Sequence, residues 1–411
     1  MPNTLRSALA GALALPLLAA CGGDGDHRPH FPSTEVQYGL ASADLDGDGF
    51  ADIVGTSMLV TDAGPPFAAN LKAYRHPGAG GGSFGAATTY PDGMDPWFLA
   101  AGDIDGDGRP DIVSASVADG GLAVFYNDPA SPGTLKAPQA LVAPGASQVV
   151  IADMNGDGHA DLIAADYGVS LFVQDAATPG SFLAPLGLYA GGANWVAAGD
   201  LNHDGLPDLA ITDAFGVKVL LHAADPASTT FQNPVDVHDQ TPNAHFNGAD
   251  AVAIADVNGD GRNDLVITDP GPTGGSAPFV AVLLQDAATP GQFLAAVDYP
   301  IATQNVGECV TVADLDGDGL PDIVVGGSTA VSVLLQDAAH PGQFLAAQNL
   351  AAPLGAYQLA LVDVDADGHV DIVVTNGATT PTVDGVVTTH PGVLRQDAAH
   401  PGQFLALQDL P

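Results

Sequence analysis

Residues 313–325 read ADLDGDGLPDIVV, four carboxylates within nine residues followed at once by an apolar, β-branched run. Two such charges roughly 4 Å apart repel by about 4 kcal/mol at an effective dielectric of about 20, so the cluster calls for something positive at its centre. The stretch recurs. The pattern D-x-[DN]-x-D-G-x-x-D begins at Asp44, Asp103, Asp153, Asp200, Asp256, Asp314 and Asp363, at intervals of 59, 50, 47, 56, 58 and 49 residues. A period of that length fits a repeated supersecondary unit rather than a nonapeptide roll.

Each copy sits between two short apolar stretches, such as FLAAGD and DIVSASV around the second copy, or VAIAD and DLVIT around the fifth. Runs that short and that rich in β-branched residues read as strands, which makes the acidic segment the loop of a hairpin. A second repeat lies downstream: LFVQDAATPGSFLA at 171–184, VLLQDAATPGQFLA at 282–295, VLLQDAAHPGQFLA at 333–346 and VLRQDAAHPGQFLA at 393–406. Each of these is strand, Pro-Gly turn, strand. Four strands repeated seven times predict an all-β chain, a seven-bladed β-propeller of four-stranded antiparallel blades over residues 31–411, whose closed ring leaves only short edges. Both HFPSTEVQYGLASAD (30–44) and GQFLALQDLP (402–411) offer a fourth strand to the last blade. The N-terminal segment is the one expected to complete it.

These D-x-D-G-D-G-x-x-D-[IL]-V units resemble FG-GAP/VCBS repeats, the calcium-binding blades of the integrin α-subunit propeller, and the resemblance covers roughly residues 31–411. It implies a propeller with a calcium ion in the loop between the first two strands of each blade. It also implies binding or adhesion more often than catalysis.

The spacing suits that ion. Calcium takes 6–8 hard oxygens at about 2.3–2.6 Å. Positions 1, 3 and 5 of a tight curl turn their side chains inward, Gly at position 6 permits the curl, position 7 offers a carbonyl, and position 9 closes the shell. The expected ligands, up to seven calcium ions in all, are Asp44, Asp46, Asp48 and Asp52; Asp103, Asp105, Asp107 and Asp111; Asp153, Asn155, Asp157 and Asp161; Asp200, Asn202, Asp204 and Asp208; Asp256, Asn258, Asp260 and Asp264; Asp314, Asp316, Asp318 and Asp322; and Asp363, Asp365, Asp367 and Asp371. His203 and Ala366 stand at position 4, where the other copies have Gly. An EF-hand is excluded, because position 12 is Gly55, Ser114 or Val325 in the first, second and sixth copies, never Glu in any copy, and strands flank the loop.

Composition agrees. Nine basic against 48 acidic residues give a net charge of −39, which argues against nucleic acid or a polybasic membrane patch, and 46% apolar residues are ample for a core. The first 20 residues, with Arg6 and an apolar run, read as a secretory signal. The ending Leu18-Ala19-Ala20-Cys21 resembles the bacterial lipobox, which implies lipidation at Cys21, with residues 21–30 as a tether and a protein held to the cell envelope by its lipid alone. Gly22 carries no Asp retention signal, which points to the outer membrane or cell surface. Only Cys309 then remains, so no intramolecular disulfide forms, and it reads as a buried strand thiol.

Strand alternation puts the acidic loops and the Pro-Gly hairpins on one face. The opposite face carries the joins between blades, where the irregular sequence lies: Trp97, Trp195, His245 and Tyr357 are the candidate ligand-binding residues there. Trp97 and Trp195 precede their motifs at similar positions, and either stack on sugar rings or a protein segment or plug the core of the ring. The chain has no G-x-S-x-G elbow, C-x-x-C or phosphate loop. The leading expectation is a monomeric binding or adhesion module for an extracellular glycan or protein. Its alternatives are a polysaccharide lyase using His245 or Tyr357, and an envelope scaffold without a small ligand.

Overall fold

The computed structural model describes residues 34–60, 68–78, 84–93, 96–117, 121–223, 228–237, 249–270, 278–301, 309–353, 355–381 and 387–410. Within them the chain forms strands and no helix. After a short β1 (Thr34–Val36), 28 strands fall into seven groups of four. The first blade holds β2 (Leu40–Ala43), β3 (Asp52–Val60), β4 (Ala68–Tyr74) and β5 (Thr88–Pro91); the last holds β26 (Leu359–Val362), β27 (Asp371–Pro381), β28 (Val387–Leu394) and β29 (Gln408–Asp409). Neighbouring strands in every blade are antiparallel, as in the ladder that pairs Val310 with Val325 and Thr311 with Val324.

The strand order runs outward from the axis. The first strand of each blade lies beside the first strands of the blades on either side, and β26 meets β2, which closes the ring. These inner strands are half-buried, the second and third strands of blades 2, 5 and 6 are wholly buried, and the fourth strands are largely exposed. The apolar runs after each motif follow from this placement, because both faces of a second strand are covered. Ile53 packs into the seam with the last blade and Val54 into the seam with the second; Ile112 and Val113 divide in the same way between the seams on either side of their blade. Seven apolar clusters are found among the described residues, one per seam.

The ring closes differently from the sequence expectation. The C-terminal segment itself provides the fourth strand of the last blade, with Val393 paired to Gln408 and Gly392 to Asp409. Leu410 is buried in the seam between last and first blades. The N-terminal β1 instead pairs antiparallel with β3 and meets β28 only at Thr34 and Val387. The physical reason is register: the hairpin bridged at Gln396 and Phe404 lays the C-terminal segment along β28 beside Gly392 and Val393, while the N-terminal segment is taken up by β3.

Candidate metal centres

Every acidic segment forms the same loop. The position-1 carboxylate accepts the N–H of the position-6 glycine through Oδ2 at 2.7–3.0 Å in all seven copies. Position 5 accepts the N–H of position 7 at 2.8–3.0 Å. These bonds curl the chain and leave a second oxygen on each carboxylate. Position 4 takes a positive φ in each loop, and the demand is strong enough to hold two side chains there: His203 at 60° and Ala366 at 58° are the only non-glycine residues with positive φ among the described residues. Replacement of glycine therefore leaves the loop geometry intact.

Position 9 differs from the rest. Asp52, Asp111, Asp161, Asp208, Asp264, Asp322 and Asp371 begin the second strands and are no more than 2% exposed. One oxygen accepts the N–H of position 2, at 2.8–3.1 Å. The other accepts the N–H of the residue two positions past the end of the third strand, at 2.6–2.8 Å. Burial pushes all seven carboxyls up to about 6, against the pull of those backbone hydrogen bonds, with the neighbouring loop carboxylates adding to the rise.

These loops can hold a metal ion. Asp44, Asp46 and Asp48 bring donor oxygens within 4.8 Å of one another, as do Asp103, Asp105 and Asp111; Asp314, Asp316 and Asp322; and Asp363, Asp365 and Asp371. Asp365 Oδ1 is buried with no hydrogen-bond partner among the described residues, a lone pair that a cation would satisfy. Arg75 lies 3.2 Å from Asp46, and Arg262 lies 3.2 Å from Asp260, so side-chain cations already offset part of the loop charge.

The residue two positions past the third strand was not singled out in the sequence. His76, Asn127, Gln174, His222, Gln285, Gln336 and Gln396 fill it, and the signal was present in the recurrent Q, N or H before the Pro-Gly hairpin. It is also the role of His222, which belongs to no metal cluster: its Nε2 lies 3.1 Å from the Met154 carbonyl of the preceding blade. His340 and His400 are turn residues, each with Nδ1 2.8 Å from the Asp that starts its hairpin. Cys309 is a free, buried strand thiol.

On the opposite face the two tryptophans are not counterparts. Trp195 pairs with Thr212 where Phe98 pairs with Ala115, so Trp195 matches Phe98, and Trp97 matches Asn194 one residue earlier. Trp195 meets Phe98 edge-on at 5.2 Å and packs against the cores of two seams. Trp97 stacks on Tyr38 at 4.5 Å, and Tyr38 contacts Tyr357 at 5.5 Å. The residues six before each motif thus form an aromatic sector on the last, first and second blades. On the third and fourth blades they are polar: Ser147 Oγ donates to Asn194 O and Asn194 Nδ2 to Ala249 O. Gln358 Nε2 donates to Leu99 O across the first blade at 2.6 Å, which draws Tyr357's blade toward Trp97's. Cys21 and His245 lie outside the described residues.

None of the curated proteins compared with this chain matches it. Among solved structures, a protein from Lactobacillus plantarum aligns with a TM-score of 0.47 at 16% identity, over 78% of this chain and 86% of its own. A candidate 6-phosphogluconolactonase from Bacteroides fragilis aligns with a TM-score of 0.53 at 15% identity, over 77% of this chain and 85% of its own. An exotype rhamnogalacturonan lyase aligns with a TM-score of 0.45 at 16% identity, over 82% and 59%. At these identities the likeness is one of fold. The FG-GAP-like repeat matches residues 44–114, 103–164, 153–211, 256–325 and 314–374, well over half of the sequence. With seven such loops set on seven blades, the chain belongs to the FG-GAP-like repeat family.

Proposed function

We propose that this protein is a calcium-stabilised binding propeller, lipid-anchored to the cell envelope through Cys21, that recognises an extracellular glycan or protein. The observation that carries the reading is the division of the ring into two faces. One face is given over to seven acidic loops with the same hydrogen-bonded curl, four of which bring three carboxylates within 4.8 Å of one another. The other carries the joins, where no two blades are alike and where Trp97, Tyr38 and Tyr357 form one aromatic sector. Calcium suits the loops better than magnesium, because dense, flexible carboxylate shells fit the larger ion with its higher coordination number. The ion's part is to fix the hairpins and offset loop repulsion. Aromatic faces beside hydrogen-bonding backbone suit the apolar faces of sugar rings.

The test is retention of the anchor-free protein on immobilised polysaccharides with calcium present, scored for binding and for new chain ends. Calcium-dependent retention that Trp97→Ala and Tyr357→Ala abolish supports the reading. Retention unaffected by either change moves the site elsewhere, new chain ends make the protein a lyase or hydrolase, and no retention on any glycan leaves a protein ligand to be found in the envelope.

A further inference from the structure

In six of the seven blades the residue two positions past the third strand touches two metal loops at once. Gln285 shows the bridge between two loops. Its backbone N–H donates to Asp264 Oδ1 at 2.8 Å, in the loop of its own blade. Its side-chain Nε2 donates to Asn263 O of that loop at 3.1 Å and to Leu201 O, position 2 of the preceding blade's loop, at 2.7 Å. Leu201 lies between Asp200 and Asn202, two of the expected ligands of the preceding loop. The same bridge joins Asn127 to Leu45 O at 2.7 Å, Gln174 to Ile104 O at 2.6 Å, His222 to Met154 O at 3.1 Å, Gln396 to Leu315 O at 2.8 Å and His76 to Val364 O at 3.2 Å. Six of the seven seams carry it; the side chain of Gln336 bonds within its own blade, to Pro321 O.

A second contact follows the same path. The Pro-Gly hairpin of one blade lies on the position-3 residue of the preceding loop. A Cβ on Gly180 would stand 3.2 Å from Asp105 Cβ, and one on Gly402 would stand 3.2 Å from Asp316 Cβ. In three of these blades the hairpin glycine is held there by the bridging residue (Asn127, Gln174 or Gln396), whose side-chain oxygen accepts its N–H at 2.9–3.1 Å, and Gln336 holds its own glycine in the same way. Side chain, hairpin and neighbouring loop form one hydrogen-bonded unit.

We propose that these are positioning residues shared between neighbouring metal loops, so that an ion bound in one loop raises the affinity of the loop in the adjoining blade. The physical argument is ordering. Ligation by the position-9 carboxylate fixes the residue just past the third strand, and that residue fixes the position-2 carbonyl and position-3 side chain next door. An ion arriving second finds its loop already ordered, and loses less conformational freedom on binding. Because linkage is reciprocal, the effect runs both ways across a seam. The inference rests on the reading of the loops as calcium sites.

The experiment is calcium titration of the metal-stripped full chain, followed by hydrogen exchange on peptides that resolve residues 200–208 and 256–264. Asp260→Asn weakens the fifth loop at an exposed position and keeps the acceptor for the Arg262 N–H. It should move the protection midpoint of 256–264 to higher calcium, and move that of 200–208 in the same direction by about fivefold, the lower end of ordinary coupling. In a Gln285→Leu background Asp260→Asn should leave 200–208 where it was, whereas Gln285→His, which copies the residue used in two other blades, should preserve the coupling. An unmoved 200–208 midpoint in the chain with Gln285 intact, beside a shifted 256–264, overturns the proposal while leaving the calcium sites standing. If no loop gains protection from calcium, the metal reading fails and the coupling fails with it.

Discussion

His76 Nε2 lies 3.2 Å from the carbonyl oxygen of Val364, across 288 residues of sequence, and this bond ties the first blade to the metal loop of the last. The imidazole is 4% exposed, stacks on Phe50 at 4.8 Å and meets Phe84 edge-on. The seam between the chain's two ends is thus secured by the same device as five of the internal seams. His76→Leu keeps the volume but leaves the Val364 carbonyl and the Gly78 N–H without this partner. Loss of buried hydrogen bonds of this kind costs about 1–3 kcal/mol. Urea unfolding measures that cost, and hydrogen exchange should quicken first in the first and last blades.

Ala366 carries a positive φ in a loop whose counterparts mostly use glycine. A side chain in that conformation costs about 1–2 kcal/mol, so Ala366→Gly should stabilise the protein by about 1 kcal/mol. The denaturation midpoint checks this, and the reverse change, Gly317→Ala, should cost a similar amount.

The buried position-9 carboxyls give the metal-free protein an inverted acid response. Their folded value is about 6, above the ordinary 3.8, so between those values the folded chain binds more protons than the unfolded one. Stability from these groups therefore grows as pH falls from 7 towards 4, and is lost as pH rises through 6. Metal-stripped protein should melt higher at pH 5 than at pH 7. Calcium-loaded protein should show the opposite trend, because protons compete with the ion for the same carboxylates.

The two tryptophans should separate under mutation. Trp195 is half-buried against two seam cores, so Trp195→Ala should destabilise by about 3 kcal/mol, the lower end for large aromatic deletions from cores. Trp97 is a bulge residue stacked on Tyr38, and Trp97→Ala should forfeit about 0.5–1.5 kcal/mol of ring pairing beyond its buried area while leaving the seam cores intact. Denaturant titration of both variants decides it.

Much of this architecture is legible in the sequence because a propeller repeats locally: strand, acidic loop, strand and hairpin are each adjacent along the chain, and seven copies average out the noise of any one. Asp314 to Asp322 can be read as a loop from spacing alone. Relations between blades are harder. That Gln285 reaches Leu201, or that Trp195 corresponds to Phe98 rather than Trp97, depends on register and on distances over many tens of residues, which no local pattern encodes. The identity of the closing strand is hidden for the same reason. Both terminal segments have strand character, and only the pairing along β28 decides between them.

Calcium titration of the metal-stripped protein, by calorimetry with melting followed in parallel, decides whether the acidic loops are calcium sites. The prediction is calcium binding at a stoichiometry approaching seven, a melting temperature that rises as sites fill, and a much weaker response to magnesium. Absence of binding, with a melting temperature indifferent to calcium and to its removal, would contradict it.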